Sequence, residues 1–176
     1  TNTASAIYAT VSGGRNNVAN NTYTTISGGR LNTASGSYAI ASGGCSNLAS
    51  GTYTTINGGE DNTATSSHST VTGGFKNCAN AVGTFIGGGC NNWARGPVAV
   101  VVGGTGNSNN AAGYSFVGGG KTNSGGYYGV AAGGQGNSSG SWGVVVGGQS
   151  NSAAGSGWNF VGGGRGNDSI GQYSGV

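Results

Sequence analysis

The chain has 176 residues, of which 42 are glycine and one is proline; only 5% are charged, and the formal net charge is +3. That much glycine weakens helix throughout, and with almost no proline and no strict three-residue glycine period, collagen is excluded. The six basic residues form no run, which excludes a nucleic-acid footprint, and no apolar stretch approaches the roughly 20 residues of a membrane helix.

Disordered chains are usually charged and poor in aromatics; here the aromatic and β-branched residues recur in register. From the N-terminus, the phrase YATVSGGRNN (residues 8–17) returns as YTTISGGRLN from residue 23 and YTTINGGEDN from residue 53. The asparagine of GGxxN recurs as Asn17, Asn32, Asn47, Asn62, Asn77, Asn92, Asn107, Asn123, Asn137, Asn151 and Asn167, with Asn2 in the same register. The steps are 15 residues up to Asn107, then 16, 14, 14 and 16. Two residues before each Gly-Gly stands Val11, Ile26, Ala41 or a like residue; two after the asparagine stands Ala4, Ala19, Ala34, Ala49, Ala64 or Ala79.

Each repeat therefore predicts a short β-branched strand, a Gly-Gly turn, a small-residue strand and a second turn. Such a unit is too short for a helical hairpin or a propeller blade. It suits one coil of an all-β parallel β-solenoid, or β-roll, pairing each strand with its copy one coil on. About twelve coils at roughly 4.8 Å make a rod on the order of 55 Å long. Residues 1–176 read as a single repeat domain with no recognisable caps. The asparagine column is expected to be buried and to form an amide ladder.

Strand residues alternate sides, so Ala9 and Val11 are predicted inward and Tyr8, Thr10 and Ser12 outward. The outward set begins with an aromatic column: Tyr8, Tyr23, Tyr38, Tyr53, His68, a gap at Gly83, Val98, Tyr114, Tyr128, Trp142, Trp158 and Tyr173. The neighbouring outward column is mostly threonine early (Thr10, Thr25, Thr55, Thr70), then Phe85, Val100, Phe116, Val130, Val144 and Phe160. An exposed stripe of this size marks an interface, and the C-terminal half is expected to carry assembly.

The phrase ASGSYAIASGGCSN (residues 34–47) and its relatives resemble the YadA-like head repeats of trimeric autotransporter adhesins, and related glycine-rich repeats occur in phage tail fibres. The resemblance implies a left-handed roll, three chains burying apolar faces against one another, and display as an adhesive head at a cell surface or on a virion fibre. The 15-residue spacing and constant GGxxN depart from the usual head pattern, and no stalk coiled coil or anchor is recognisable. Partners on this reading are further copies, as a homotrimer or end-to-end filament, and a surface glycan or host matrix. Neither nucleic acid nor a membrane span is expected.

No catalytic, cofactor or metal residue is assigned. His68 reads as a tyrosine substitute in its column, Glu60 and Asp61 are adjacent on a turn far from Asp168, and the Gly-Gly turns lack the residues of a phosphate loop. Cys45, Cys78 and Cys90 form no CxxC pair; Cys45 and Cys90 should lie three coils, roughly 14 Å, apart, too far for a disulfide. The expected function is a non-enzymatic, extracellular fibrous or adhesive module. One alternative is glycan binding by exposed Tyr and Trp, as in a tail-fibre segment. The other is ice binding by the partial threonine rank, which skips Ile40 and ends at Phe85.

Overall fold

The computed structural model describes residues 1–109, 113–155 and 157–176. Among them the chain is all-β without helix: two parallel sheets, one of 11 strands and one of 12, whose neighbours are always one coil apart. The first runs from Thr3–Ala4 through Val18–Ala19 to Ser152–Ala153, the second from Thr10–Val11 through Thr25–Ile26 to Trp158–Val161 and Tyr173–Gly175. The pairing follows the sequence repeat residue for residue, as in Thr10↔Thr25 and Ala4↔Ala19, and it absorbs the irregular steps, as in Val100↔Phe116 and Phe116↔Val130. The solenoid has eleven full coils among the described residues rather than twelve. The last repeat adds a strand to only one sheet, and Asp168 makes just a single bridge to Ser152. At strand spacing the rod is on the order of 50 Å long.

Small residues make this thin coil possible. The inward column of the first sheet is alanine from Ala19 to Ala94, and it faces Ile26, Ala41, Ile56, Val71, Ile86, Val101, Val117, Ala131, Val145 and Val161 of the second; all are fully buried. The alanine column gives way at Asn109, Gly125 and Ser139 before returning at Ala153. Asn109 is fully buried there, and among the described residues its Oδ1 and the Ser115 hydroxyl have no hydrogen-bond partner.

Two features differ from the strand pattern inferred above. The strands are mostly two residues long, and Tyr8, Tyr23, Tyr38, Tyr53, His68, Val98, Tyr114, Tyr128 and Trp142 are corner residues in the left-handed conformation, with φ of 51–60°. In this column Trp158 and Tyr173 instead lie within strands, Trp158–Val161 and Tyr173–Gly175. A left-handed corner costs an L-residue about 1–2 kcal/mol. The corner amide is not wasted, however: Tyr23 donates its N–H to the Ile7 carbonyl at 3.1 Å and Tyr38 to that of Thr22 at 3.0 Å, each one coil back. The second difference is a third ladder, one residue wide, along the Gly-Gly edge: Arg15, Arg30, Cys45, Glu60, Phe75, Cys90, Thr105, Lys121, Gln135, Gln149 and Arg165.

The asparagines lock this edge. Each Oδ1 accepts the backbone N–H of the asparagine one coil on, at 2.8–3.1 Å, in an unbroken series from Asn2 to Asn167. From Asn17 to Asn151, each Nδ2 donates to the carbonyl four residues back and to a glycine carbonyl of the next coil, as from Asn17 to Gly13 and Gly29. The ladder thus runs from side chain to backbone; the predicted amide-to-amide bond occurs once, from Asn47 to Asn32. Asn17 through Asn151 are buried and Asn167 is half-buried. The second glycine of the motif is required sterically. At Gly29 (φ 84°) a Cβ would collide with the Gly44 carbonyl and with Asn32 Nδ2, whereas at Gly28 it would meet nothing.

Candidate functional site

Every aromatic residue of the outward column stands at an edge of the second sheet, and the regular rise of the coil turns sequence repetition into ring stacking. Tyr8, Tyr23, Tyr38 and Tyr53 stack with centroids 4.7–4.8 Å apart and planes within 16°. His68 continues the stack at 5.2 Å from Tyr53. Gly83 and Val98 then break it. A second stack runs through Tyr114, Tyr128, Trp142 and Trp158, at 5.0, 4.3 and 5.9 Å. Tyr127 packs edge-on against Tyr128 and Trp142. Tyr173, though in register with Trp158, makes no ring contact among the described residues.

Inside these stacks both faces of each ring are covered by neighbours, so the rings present their edges to solvent. A sugar could reach a ring face only at a stack end, such as His68 or Tyr114 beside the break. The threonine rank of the same sheet face is interrupted by Ile40 and gives way to Phe85.

From Phe85 onward the face changes character. A Cβ placed on Gly87, Gly118 or Gly162 would lie 3.3 Å from Cε1 of Phe85, Phe116 or Phe160. Each phenylalanine ring therefore lies over the glycine two residues on. The intervening rungs carry Val100 with Val102, Val130 with Ala132, and Val144 with Val146. Flat rings are thus separated by one or two aliphatic rungs along the face. Phe85 and Phe116 are each 39% exposed, Phe160 49% and Trp158 69%. Val102 and Val146, not singled out from the sequence, are exposed as well. Their signal was present: two residues after each phenylalanine of the column comes glycine, and two after Val100 or Val144 comes valine.

The charged residues lie elsewhere. Arg15, Arg30, Glu60, Lys121 and Arg165 occupy the Gly-Gly ladder, Asp61 and Lys76 follow it directly, and Asp168 follows the Asn167 rung. Arg95 stacks on Trp93 of the other sheet, its Cζ 4.2 Å from the ring centroid. The stripe contains no Asp, Glu, Lys or Arg. The three cysteines are free, and Cys45 and Cys90 share the Gly-Gly ladder three rungs apart, as the repeat predicts. Burial pushes the Cys78 thiol above its ordinary range, partly offset by Arg95, which keeps it protonated and a poor nucleophile. Among the described residues, no three His, Cys, Asp or Glu side chains come together as a metal site, and no helix is long and apolar enough to cross a membrane.

No family model matches the chain, and no curated protein matches it.

Proposed function

We propose that this chain is a non-catalytic fibrous module, acting outside the cell in an adhesive or tail-fibre role, whose rods associate through the C-terminal half of the stripe. The observation that supports this reading is the uncharged face of exposed aromatic and aliphatic residues from Phe85 to Phe160. At roughly 200 Å² per aromatic side chain, the exposed fractions of its seven large rings amount to on the order of 700 Å². A standard interface takes about 800 Å² from each partner. The valines Val98, Val102 and Val146 add to the same face. Absence of charge favours a like partner, because two copies then meet without repulsion. The N-terminal half, with threonines beside its tyrosines, stays wet and is free for a surface ligand.

Light scattering tests the reading. The wild-type chain is expected at a multiple of its own mass. Replacing Phe116 and Phe160 together with serine should reduce that mass to a single chain or render the chain insoluble, whereas Thr25→Ala with Thr55→Ala should leave it unchanged. A wild-type chain that stays monomeric at high concentration would sink the proposal.

A further inference from the structure

The N-terminal stack begins with four tyrosines, Tyr8, Tyr23, Tyr38 and Tyr53, on consecutive coils at nearly identical spacing and tilt, before His68 closes it. All four rings are exposed, between 43% and 70%. Their stacked neighbours hold equivalent ring carbons one coil apart. The coils themselves are joined along the rod by hydrogen bonds and small-residue packing, and none of the cysteines forms a bridge. Such a stack sets phenols in the proximity that radical coupling requires, and its edges are open to an oxidant.

We propose that this four-tyrosine stack is a site of oxidative cross-linking, at which a one-electron oxidant of the peroxidase and hydrogen peroxide class staples neighbouring coils. Each of two adjacent phenols gives up one electron and one proton, producing two phenoxyl radicals. An ortho carbon of one ring bonds to an ortho carbon of the next. The hydrogen on each joined carbon is then lost as a proton while the ring oxygen regains one, restoring both phenols. The pair loses two hydrogens in all, and one hydrogen peroxide is reduced to two waters. The rings must turn from face-to-face toward edge-to-edge as the bond forms, which their exposed edges allow. The link gives covalent axial strength to a rod without disulfides. It does not depend on the assembly proposed above, because the N-terminal stack lies outside the face assigned to it.

The stack at Tyr114 and Tyr128 has the same geometry at 5.0 Å but lies on the assembly face; Tyr173 has no stacked neighbour and serves as the solitary control. The chain, dilute enough to limit encounters between rods, is treated with peroxidase and hydrogen peroxide, then digested and mapped by mass spectrometry. The expected products have single-chain mass, less two hydrogens per link, with joined peptides pairing Tyr8 with Tyr23, Tyr23 with Tyr38, or Tyr38 with Tyr53. Holding the rings together should raise their intrachain coupling about tenfold or more over the urea-unfolded chain. Tyr23→Phe keeps a ring in the stack, so the rod stays folded; it should abolish links from Tyr8 and leave the Tyr38–Tyr53 link. Replacing Phe116 and Phe160 with serine should not change N-terminal coupling, whatever it does to assembly. The proposal is overturned if links form chiefly between chains, if Tyr173 couples as readily as the stacked four, or if unfolding leaves the intrachain yield unchanged.

Discussion

At the scale of single residues, the asparagine carries the most bonding. One side chain satisfies the N–H of the next asparagine and two glycine carbonyls, one of them in the next coil. Asn62→Asp replaces two donated hydrogen bonds with a carboxylate oxygen facing carbonyls in a buried column, so a loss of about 3 kcal/mol or more is expected. Chemical denaturation measures it, and an unchanged midpoint would contradict the buried ladder. The two glycines of the motif should separate just as clearly. Gly29→Ala forces a Cβ onto the Gly44 carbonyl in a left-handed corner, whereas Gly28→Ala adds a methyl to open space. The first is expected to cost several kcal/mol and the second less than about 1 kcal/mol, readable as a shift in melting temperature. Asn109 runs the other way. Its Oδ1 is buried and, among the described residues, without a partner, in a column otherwise of alanine, glycine and serine. Removing it outweighs the single good bond that Nδ2 donates to the Val100 carbonyl, so Asn109→Ala should stabilise the rod by about 1 kcal/mol. A lower melting temperature for that variant would show that the orphaned oxygen costs less than the packing it provides.

At the scale of elements, the repeat in the sequence identified which residues share a column but not how the chain turns between columns. The GGxxN spacing was enough to pair Thr10 with Thr25 and Ala4 with Ala19, because a parallel coil maps a period directly onto register. It did not reveal that the tyrosines occupy left-handed corners, since large aromatic residues rarely adopt them, nor that the residue after Gly-Gly forms a ladder of its own. The outward direction of the stripe was legible from alternation. The covering of each ring's faces was not, because it depends on side-chain orientation about a corner. The break in the stack offers a test of this account. Gly83 has φ 68°, close to its aromatic counterparts, and a Cβ there would meet only Val98 Cγ2 at 3.7 Å. Gly83→Tyr gains stacking of about 0.5–1.5 kcal/mol and sheds the entropy cost of glycine, against about 1–2 kcal/mol for the corner. The variant should therefore unfold within about 1 kcal/mol of wild type, and a loss above about 2 kcal/mol would mean the corner tolerates rings only where natural neighbours clamp them.

At the scale of the whole molecule, the rod separates its chemistry by edge and by half. Charge, apart from Arg95 and Asp168, is gathered at the Gly-Gly edge, tyrosine edges line the N-terminal part of the opposite border, and the apolar face occupies the C-terminal part. Association through that face should accordingly be insensitive to salt, because screening acts on charges that the contact does not contain. Light scattering from low to high ionic strength is expected to give one mass, and dissociation by salt would place the contact on the charged edge instead.

The parallel stacking of 15-residue coils has a mechanical consequence. Because each coil is bonded to the next along the rod axis, a pull on the two ends loads the coil interfaces in series, and the weakest yields first. Each coil occupies about 4.8 Å of rod but holds roughly 50 Å of extended chain. Releasing one therefore lengthens the molecule by about ten times the space it vacates. Pulled from its ends, the protein would pay out chain in nearly equal increments, yielding length under sudden load while the remaining coils stay intact.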